Sequence, residues 1–389
     1  MRILIALTYY RPHISGLTIY AERIAKAFAR RGHQVTVLTA HFRKELAYEE
    51  VCDGVKIIRV PVLTRISKGV IMPTFGLVAN KLVTENDAIQ LHLPQFDAAG
   101  IALRGRLLHK PTVVTYHCDL KMPPGLLAWS ANQAINLMNH LTVKATHRIV
   151  TYTEDYAENS PLLAKYLSKV KIISPPVELP ETTDKKVAEF NQIHNPQKRS
   201  PVIGMAARFA SEKGVEVLLD ALPAVLKAYP SARVLFAGPH QGIVGEEAYS
   251  SRLTPRIKEL EDQGVWRFVG ELNPLKMAAF YRSIDQLVLP SLNSTEAFGL
   301  VQIEAMLNGI ACVASNLPGV RQPVLRHNMG KIAEIGDAAS LAEAMLSTLE
   351  NRSKLVSDIL GIHQEYDPDR IAAEYEKLIA EIADEINHK

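Results

Sequence analysis

Two glutamates, Glu296 and Glu304, flank a short apolar stretch in TEAFGLVQIEAMLNG, residues 295–309. The strand-like run QLVLP ends at Pro290, and the apolar spacing after it predicts a helix that begins near Phe298. Glu296 then precedes the helix, and Glu304 lies about two turns inside it. The N–H groups at the start of a helix attract an anion, whereas carboxylates beside them accept hydrogen bonds from hydroxyls. A ligand with both phosphates and hydroxyls, such as a sugar nucleotide, fits this pattern.

Two cations form a second candidate phosphate site. Arg208 and Lys213 lie in RFASEKG, directly after the strand-like run VIGMAA. Arginine binds a diphosphate as a fork and lysine as a point charge. The chain has neither G-x-G-x-x-G after a strand nor G-x-x-x-x-G-K-[ST], which argues against a dinucleotide fingerprint and a P-loop.

A metal-binding alternative rests on one D-x-D sequence, Asp367-Pro368-Asp369. It stands at the start of the final helix, where aspartate is a common N-cap. We therefore expect these carboxylates to cap the helix, and no metal site is expected.

Alternating strands and helices must position these side chains. Short β-branched runs that are apolar on both faces alternate with helical patterns along the whole chain, which predicts an α/β protein with buried parallel sheets. We expect two Rossmann-like domains, at residues 1–178 and 179–367, with a proline-rich and charged linker over residues 175–201. The amphipathic helix at residues 368–389 is expected to pack back on the first domain.

Composition places the protein among soluble globular chains. Of its 389 residues, 47% are hydrophobic and 22% charged, and the three cysteines suggest neither a disulfide framework nor a zinc site. No signal peptide and no apolar run long enough for a transmembrane helix is found, so a cytoplasmic protein is expected. The net charge of +3 is uneven: residues 1–178 hold 22 Lys+Arg and 13 Asp+Glu, which makes them +9 and the remainder −6.

Five segments in order resemble the family-four retaining glycosyltransferases. They are the E-x7-E motif of TEAFGLVQIEAMLNG and the segments GMAARFASEKGVEVLLDAL, FVGELNPLKMAAFYRSIDQLVLPS, HISGLTIYAERIAKAFARRGHQVTVLT and TYHCDL. The resemblance covers nearly the whole chain. It implies the GT-B fold, in which two Rossmann-like domains face across a cleft. It also implies transfer of a hexose-type sugar from a nucleotide diphosphate sugar, with UDP expected, with retention and without a metal or other cofactor.

The resemblance also assigns roles residue by residue. Arg208 and Lys213 would hold the diphosphate, and Gly16 would let the backbone approach it. Glu296 would contact the donor sugar and Glu304 the ribose, while His117 would contact the transferred sugar near its anomeric carbon. The catalytic roles fall on His117 and Glu296, and Asp119 is a candidate to orient His117. The remaining donor contacts would come from the N–H groups of three residues, Phe298, Gly299 and Leu300.

This sequence departs from the family pattern at three positions. Ala207 stands where a glycine often precedes the arginine, and Ser15 replaces one of two glycines in the N-terminal loop. Gln322 stands in the position of a family glutamate, which puts the contact of that glutamate in doubt. Two other classes stay open: a sugar-nucleotide epimerase of the same fold and a non-catalytic sugar-nucleotide binder.

No motif in the sequence identifies the acceptor. Residues 61–82 mix Arg65, Lys68 and Lys81 with apolar side chains, and the helix LLAWSANQAINLMNHL is similarly mixed. Both segments fit a peripheral contact with an anionic membrane at its inner face and a lipid-linked acceptor, and both equally fit the inner wall of an acceptor site for a sugar. No nucleic-acid partner is expected.

Overall fold

A computed structural model describes residues 1–66, 69–120, 126–355 and 358–388. The chain divides into two compact units. The first, unit 1, comprises Met1–Val177 and Glu365–Lys389, and the second, unit 2, comprises Glu178–Gln364.

Unit 1 is built on a mostly parallel sheet. Its strands are β1 (Arg2–Ala6), β2 (Gln34–His41), β3 (Glu49–Cys52), β4 (Val55–Pro61), β7 (Ala88–Leu93), β8 (Thr112–Tyr116), β9 (Arg148–Thr151) and β10 (Val170–Ile172). Within the described residues their order is β10-β9-β8-β7-β1-β2-β4-β3, and only β3 pairs antiparallel to its neighbour. The chain builds outward from β1 through β2 and β4 and then returns to the other side of β1 with β7, so the topological switch point lies between β1 and β7.

The helices of unit 1 connect these strands. They are α1 (Gly16–Arg30), α2 (Phe75–Glu85), α3 (Ala98–Leu107), α4 (Leu126–Ala145) and α5 (Glu154–Asn159). Helix α1 begins at a capping box, in which Ser15 and Thr18 satisfy each other's backbone N–H groups. Its apolar face, including Tyr20, Ile24 and Phe28, is fully buried. A separate hairpin pairs β5 (Thr64–Ile66) with β6 (Gly69–Ile71).

Unit 2 has a purely parallel sheet among its described residues, in the order β13-β12-β11-β14-β15-β16. Its switch point lies between β11 and β14. The strands are β11 (Val202–Ala206), β12 (Arg233–Ala237), β13 (Trp266–Gly270), β14 (Gln286–Leu289), β15 (Cys312–Ser315) and β16 (Gly330–Ala333). The helices are α6 (Asp184–His194), α7 (Val215–Ala228), α8 (Glu247–Asp262), α9 (Pro274–Tyr281), α10 (Leu300–Met306), α11 (Gln322–His327), α12 (Ala338–Asn351) and α13 (Ile359–Tyr366), the last of which crosses into unit 1.

The final helix, α14 (Pro368–Asn387), packs on α1. Its buried stripe includes Ile371, Tyr375 and Ile379. Ion pairs join the two helices at their edges, with Arg31 Nε 2.6 Å from Glu376 Oε1 and Arg30 Nη2 3.0 Å from Asp369 Oδ1. The chain thus returns from unit 2 and completes the core of unit 1.

The predicted linker over residues 175–201 is wrong over its middle third, because α6 occupies it. Thr183 caps this helix by accepting from the Lys186 N–H at 3.4 Å, and Phe190 is buried against Phe280. Phe190 is the buried residue of this helix, and so sparse an apolar pattern resembles a linker. The short strands β3, β5 and β6 were also not predicted.

No helix in the described part of the chain is both long enough and apolar enough to cross a bilayer.

Candidate active site

The switch point of unit 2 carries two of the predicted site segments. Strands β11 and β14 are parallel neighbours, so RFASEKG and SLNSTEAFG leave the sheet at the same edge. Ligands of open α/β sheets bind outside the carboxyl ends of the strands at such a point. The topology alone therefore brings Arg208, Lys213 and Glu296 to one edge.

A close backbone approach fixes the two segments against each other. Gly214 has φ +68°, and a Cβ atom there would lie 2.0 Å from the carbonyl oxygen of Pro290 at the end of β14. The Leu292 N–H also donates to the Glu212 carbonyl at 2.9 Å. Only glycine permits this contact, so the lysine turn and the glutamate loop have little freedom relative to each other.

The resulting contact joins Lys213 Nζ to Glu296 Oε2 at 2.7 Å. Both side chains are largely buried, with 16% and 18% of their surface exposed. Partial burial strengthens such a pair relative to a surface pair, because less water screens it. Two residues that lie 83 positions apart in the sequence are therefore held as one charged unit.

Glu212 is a site residue that the sequence analysis missed. Its carboxylate pairs with the Arg208 guanidinium. Burial works to raise the pKa of Glu212, but the charges of Arg208 and Lys213 and a backbone hydrogen bond outweigh it, so the pKa is lowered below its ordinary value. Its i,i+4 spacing from Arg208 was a readable signal, although the same spacing is common on solvated surfaces.

Helix α10 begins two residues later than predicted. Its N-cap is Gly299 with φ +78°, where a Cβ would meet Leu289 Cδ2 at 2.4 Å. The helix therefore starts at Leu300, and Glu304 lies in its second turn, nearer to the start than the two full turns expected. Phe298 is buried before the cap and its carbonyl accepts from Gln302 Nε2 at 2.8 Å.

Glu304 lies in a protected position. Only 6% of the residue is exposed, and Oε2 accepts a hydrogen bond from the Tyr281 hydroxyl at 2.8 Å. A carboxylate accepts hydrogen bonds at both oxygens, so hydroxyl groups are suitable donors to Glu304.

In unit 1, Gly16 is the first residue of α1, in the loop that follows β1. A Cβ added there would meet nothing within 4 Å, and its φ is not positive. The fold itself therefore does not require glycine at this position. The neighbouring Ser15, which replaces a family glycine, serves as the N-cap.

His117 follows β8 and is buried, with 7% exposed. Its Nε2 lies 2.9 Å from His92 Nδ1, and its Nδ1 is hydrogen-bonded to the Tyr152 hydroxyl. Both ring nitrogens are thus engaged within the protein. A ligand hydroxyl that bonds to this ring must exchange with one of these partners.

The idea that Asp119 orients His117 is wrong. Asp119 instead accepts hydrogen bonds from the hydroxyls of Tyr116 and Tyr156, each at 2.8 Å, and of Ser160 at 2.9 Å. The backbone after β8 turns this carboxylate into a neighbouring polar cluster, and a spacing of two residues does not show on which side a loop residue lies.

Tyr20 and Tyr375 support the histidine pair. The Tyr20 ring packs edge-on against His117, with centroids 5.0 Å apart. The Tyr20 hydroxyl bonds to the Tyr375 hydroxyl at 2.7 Å, which in turn bonds to Thr115 Oγ1 at 2.7 Å. The C-terminal helix therefore contributes to the surroundings of His117, a contact that no local motif reveals.

The other expected positions have plain structural roles. Asp367 caps α14 by accepting from the Asp369 and Arg370 N–H groups at 3.0 and 2.9 Å. Gln322 is the first residue of α11. No group of three or more His, Cys, Asp or Glu side chains suited to a metal ion is found within the described ranges.

Comparison with known proteins agrees with this architecture. The family model described as Glycosyl transferases group 1 matches residues 186–359, and the model described as Glycosyltransferase Family 4 matches residues 14–180. A phosphatidyl-myo-inositol mannosyltransferase of Mycobacterium leprae is 25% identical over 354 residues, which is 90% of this chain and 88% of that protein.

Solved structures share the fold over almost the whole chain. The sucrose-phosphate synthase of Thermosynechococcus elongatus superposes with a TM-score of 0.76 at 19% identity, covering 98% of both chains. The Anabaena HepE protein, solved with UDP and glucose, superposes with a TM-score of 0.75 at 17% identity, covering 97% of this chain and 99% of that one.

Two Rossmann-like units and two nearly contiguous family matches define a glycosyltransferase of the GT-B fold. The chain belongs to the family-four glycosyltransferases.

The close approach at Gly214 leads to a stability prediction. Gly214→Ala should lower the free energy of unfolding by more than about 2 kcal/mol, because a positive φ costs a non-glycine residue about 1–2 kcal/mol and the Cβ also collides with the Pro290 carbonyl. Gly242→Ala is the matched control, since φ there is +64° but nothing lies within 4 Å, and it should lose about 1 kcal/mol. Urea unfolding measures both. Equal losses would contradict the close approach.

The histidine pair leads to a pH prediction. Burial lowers the pKa of His92 to about 3, and burial together with the charge of His92 lowers the pKa of His117 well below its ordinary value. The unfolded chain binds these protons near pH 6.5, so the stability is complete above that pH and falls as the pH drops toward 3. Each imidazole loses about 1.4 kcal/mol per pH unit in this window.

His92→Gln should therefore remove about 2–3 kcal/mol of the stability difference between pH 6.5 and 4.5. His147 and His194, whose pKa values burial also lowers, lie away from this pair and cancel when the variant is compared with the wild type. Exposed His388→Gln is the control and should leave the pH profile unchanged. An unchanged profile for His92→Gln would show that this imidazole is protonated in the folded protein.

Proposed function

We propose that this glycosyltransferase moves a hexose-type sugar, with retention, from a nucleotide diphosphate sugar to a hydroxyl of a sugar or lipid-linked acceptor. The donor nucleotide in this proposal is UDP. The observation that carries the proposal is the paired Lys213 and Glu296 at the switch point of unit 2, next to a second cation, Arg208.

Arg208 and Lys213 hold the diphosphate in this proposal. Each is paired with a carboxylate in the structure, Arg208 with Glu212 and Lys213 with Glu296. A diphosphate that enters between them competes for the same N–H donors, and phosphate oxygens bind guanidinium and ammonium groups at least as well as carboxylates do. The two carboxylates hold the cations in place before the donor arrives.

Glu296 then becomes available to the donor sugar. Once Lys213 turns to the phosphates, the carboxylate of Glu296 accepts hydrogen bonds from sugar hydroxyls near the reacting carbon. The N–H groups of Phe298, Gly299 and Leu300 bind phosphate or sugar oxygens, and Glu304 binds the ribose hydroxyls from its buried position.

Unit 1 contributes Gly16, His117 and the acceptor site. The open space above Gly16 allows a phosphate to approach the backbone N–H groups at the start of α1, which is a helix of 15 residues with a developed dipole. His117 contacts the transferred sugar after exchanging one of its internal hydrogen bonds. Its lowered pKa keeps the ring neutral at physiological pH, so its role is in hydrogen bonding rather than as a cation.

The reaction is a front-side displacement. The acceptor oxygen forms a bond to the anomeric carbon while the bond from that carbon to the diphosphate oxygen breaks. The acceptor proton passes to the departing phosphate oxygen, which takes the electron pair of the broken bond. Arg208 and Lys213 stabilise the negative charge that develops on the leaving group, which is the largest contribution to the rate.

No metal or other cofactor takes part in this proposal. Two side-chain cations and backbone N–H groups supply positive charge at the place where a divalent ion would otherwise neutralise the diphosphate.

UDP is favoured as the leaving nucleotide by the Anabaena HepE protein, which was solved with UDP, with UDP and glucose and with UDP-glucose. An Arabidopsis starch synthase of the same fold was solved with ADP and acarbose, so ADP- and GDP-sugars belong in the same binding test. An epimerase would interconvert sugar nucleotides without an acceptor, and a non-catalytic binder would leave the donor intact. Slow hydrolysis of the donor without acceptor separates the enzyme from the binder.

Substitutions of Glu296 and Glu304 should affect different quantities, turnover for the first and UDP affinity for the second. Glu296→Gln should lower turnover about 100-fold or more, because it acts on the charge that develops near the reacting carbon, while UDP affinity changes little. Glu304→Gln keeps the Tyr281 contact but should weaken UDP binding by about 1–3 kcal/mol, because a charged acceptor for the ribose is lost.

Calorimetry with UDP and donor hydrolysis measured by NMR report the two effects. The same NMR spectra give the anomeric configuration of the product, and retention is expected. Exposed Glu334→Gln is the control and should change neither quantity. The opposite ranking of the two variants would contradict these placements, and an inverted product would contradict the mechanism.

Peripheral membrane contact on the cytoplasmic side is a second proposal about the acceptor. Leu63, beside the hairpin, is 73% exposed and Leu77 of α2 is 77% exposed. Lys81 is also exposed and lies about one helical turn after Leu77. Lys68 lies outside the described residues. An exposed apolar group beside a cation is the chemistry of an interfacial contact.

Wild-type protein should therefore co-sediment with phosphatidylglycerol vesicles at low salt and be released at high salt. Leu77→Ser with Lys81→Gln should weaken this binding by about 2–3 kcal/mol, from the lost apolar burial and about 1 kcal/mol per cation. Lys171→Gln, at the opposite edge of the sheet, is the charge-matched control. Protein that stays in the supernatant at low salt would end the membrane proposal.

A further inference from the structure

A separate pocket lies at the carboxyl edge of the unit 1 sheet. Strands β2 and β4 end side by side at His41 and Pro61, and residues of the segments that follow both strands line the space beyond them. The cavity has a volume of about 420 Å³, which is within the range of small-molecule sites. Its position is that in which parallel sheets bind ligands.

The lining of this pocket is cationic. Arg43, Lys44 and Arg65 contribute to its wall, and the described lining residues include no Asp or Glu. Arg65 donates to the backbone carbonyl of Phe42, and neither Arg43 nor Lys44 forms an ion pair with any carboxylate among the described residues.

The neighbouring cations of the same unit behave differently. Ion pairs join Arg11 to Glu22, Lys26 to Asp53, Lys56 to Glu49 and Arg59 to Glu50. These four cations therefore have carboxylate partners, whereas the cations of the pocket have none among the described residues. Clustered like charges without counter-charges favour an anionic ligand.

Hydrogen bonds and ring stacking hold the wall of the pocket in place. His41 Nε2 bonds to the Leu46 carbonyl at 2.7 Å, and its ring stacks on Tyr48 with centroids 4.1 Å apart. Arg59, which is 3% exposed, donates to the Ala47 carbonyl at 2.8 Å. These contacts hold the loop after β2, so Arg43 and Lys44 project from a supported backbone.

Aromatic rings connect the pocket to the loop that contains Gly16. Phe42 packs edge-on against Tyr9, with centroids 5.5 Å apart, and against His13 at 5.9 Å. The Arg43 guanidinium lies over the Phe42 ring, 5.7 Å from its centroid. Burial lowers the pKa of His13 and the charge of Arg43 lowers it further, so the positive potential extends toward the loop after β1.

We propose that this pocket binds a phosphate group of the acceptor, so that the substrate class is a phosphorylated acceptor whose hydroxyl-bearing part lies against Tyr48, an exposed aromatic side chain of the lining. The proposal rests on the proposed function in placing the acceptor in unit 1. A cavity of this size holds a phosphate together with a sugar-sized ring, and a flat ring face suits the apolar face of a sugar. The phosphate comes either from a lipid headgroup or from a soluble phosphorylated acceptor.

The experiment measures binding of soluble phosphates without turnover. Calorimetry with glycerol 3-phosphate and with inorganic phosphate should show saturable binding to the wild type. Arg43→Gln with Lys44→Gln should weaken the binding of both probes at least tenfold. Lys165→Gln with Lys171→Gln removes the same charge near β10, at the other edge of the sheet, and should bind as the wild type does.

A competition experiment with lipid vesicles distinguishes the two sources of the phosphate. If phosphatidylglycerol vesicles compete with glycerol 3-phosphate and phosphatidylcholine vesicles do not, the phosphate comes from a lipid headgroup. If glycerol 3-phosphate binds and neither kind of vesicle competes, the acceptor is soluble. The absence of saturable binding, or equal affinity in the Arg43 and Lys44 double variant, would overturn the site.

UDP titration of the same variants tests the donor site independently of the phosphate pocket. UDP binding should be unchanged by substitutions of Arg43 and Lys44, since neither residue is among those proposed to contact the donor. Failure of the wild type to bind UDP would overturn the donor site and leave the phosphate result standing.

Discussion

The candidate site of unit 2 depends on one steric constraint, the close approach of Gly214 to the Pro290 carbonyl. This contact brings the turn after β11 against the loop after β14, and Lys213 meets Glu296 as a consequence. Neither charge would be held in so protected a position by its own loop. The site is therefore a property of two adjacent parallel strands whose connecting segments are locked together.

In unit 1 the candidate side chain is held by hydrogen bonds instead of ion pairs. His117 is held by a neutral network, with His92 on one nitrogen and Tyr152 on the other, and the Tyr20–Tyr375 pair packs around it. Burial keeps the imidazoles uncharged. Unit 2 thus contains paired charges, whereas unit 1 contains a neutral hydrogen-bonded network around His117 and, at the ends of β2 and β4, a cationic pocket.

Much of the fold could be predicted from the sequence, because buried parallel strands produce continuous apolar runs such as RILIAL and VIGMAA. The class of the enzyme also followed from ordered motifs. Glu212, His92 and Tyr375 were not recognisable, since their importance depends on contacts between distant segments. The α6 helix resembled a linker because it buries little, and the start of α10 was misplaced because Gly299 adopts a positive φ that the apolar spacing does not reveal.

The proposed mechanism requires that Arg208 and Lys213 take the place of a metal ion at the leaving diphosphate. The direct measurement is the rate of donor hydrolysis or transfer in EDTA, compared with the rate in magnesium and in manganese. We expect rates within about twofold of one another for the wild type, and a loss of about 100-fold or more for Lys213→Gln in all three buffers. Activity that EDTA abolishes and a divalent metal restores would contradict it.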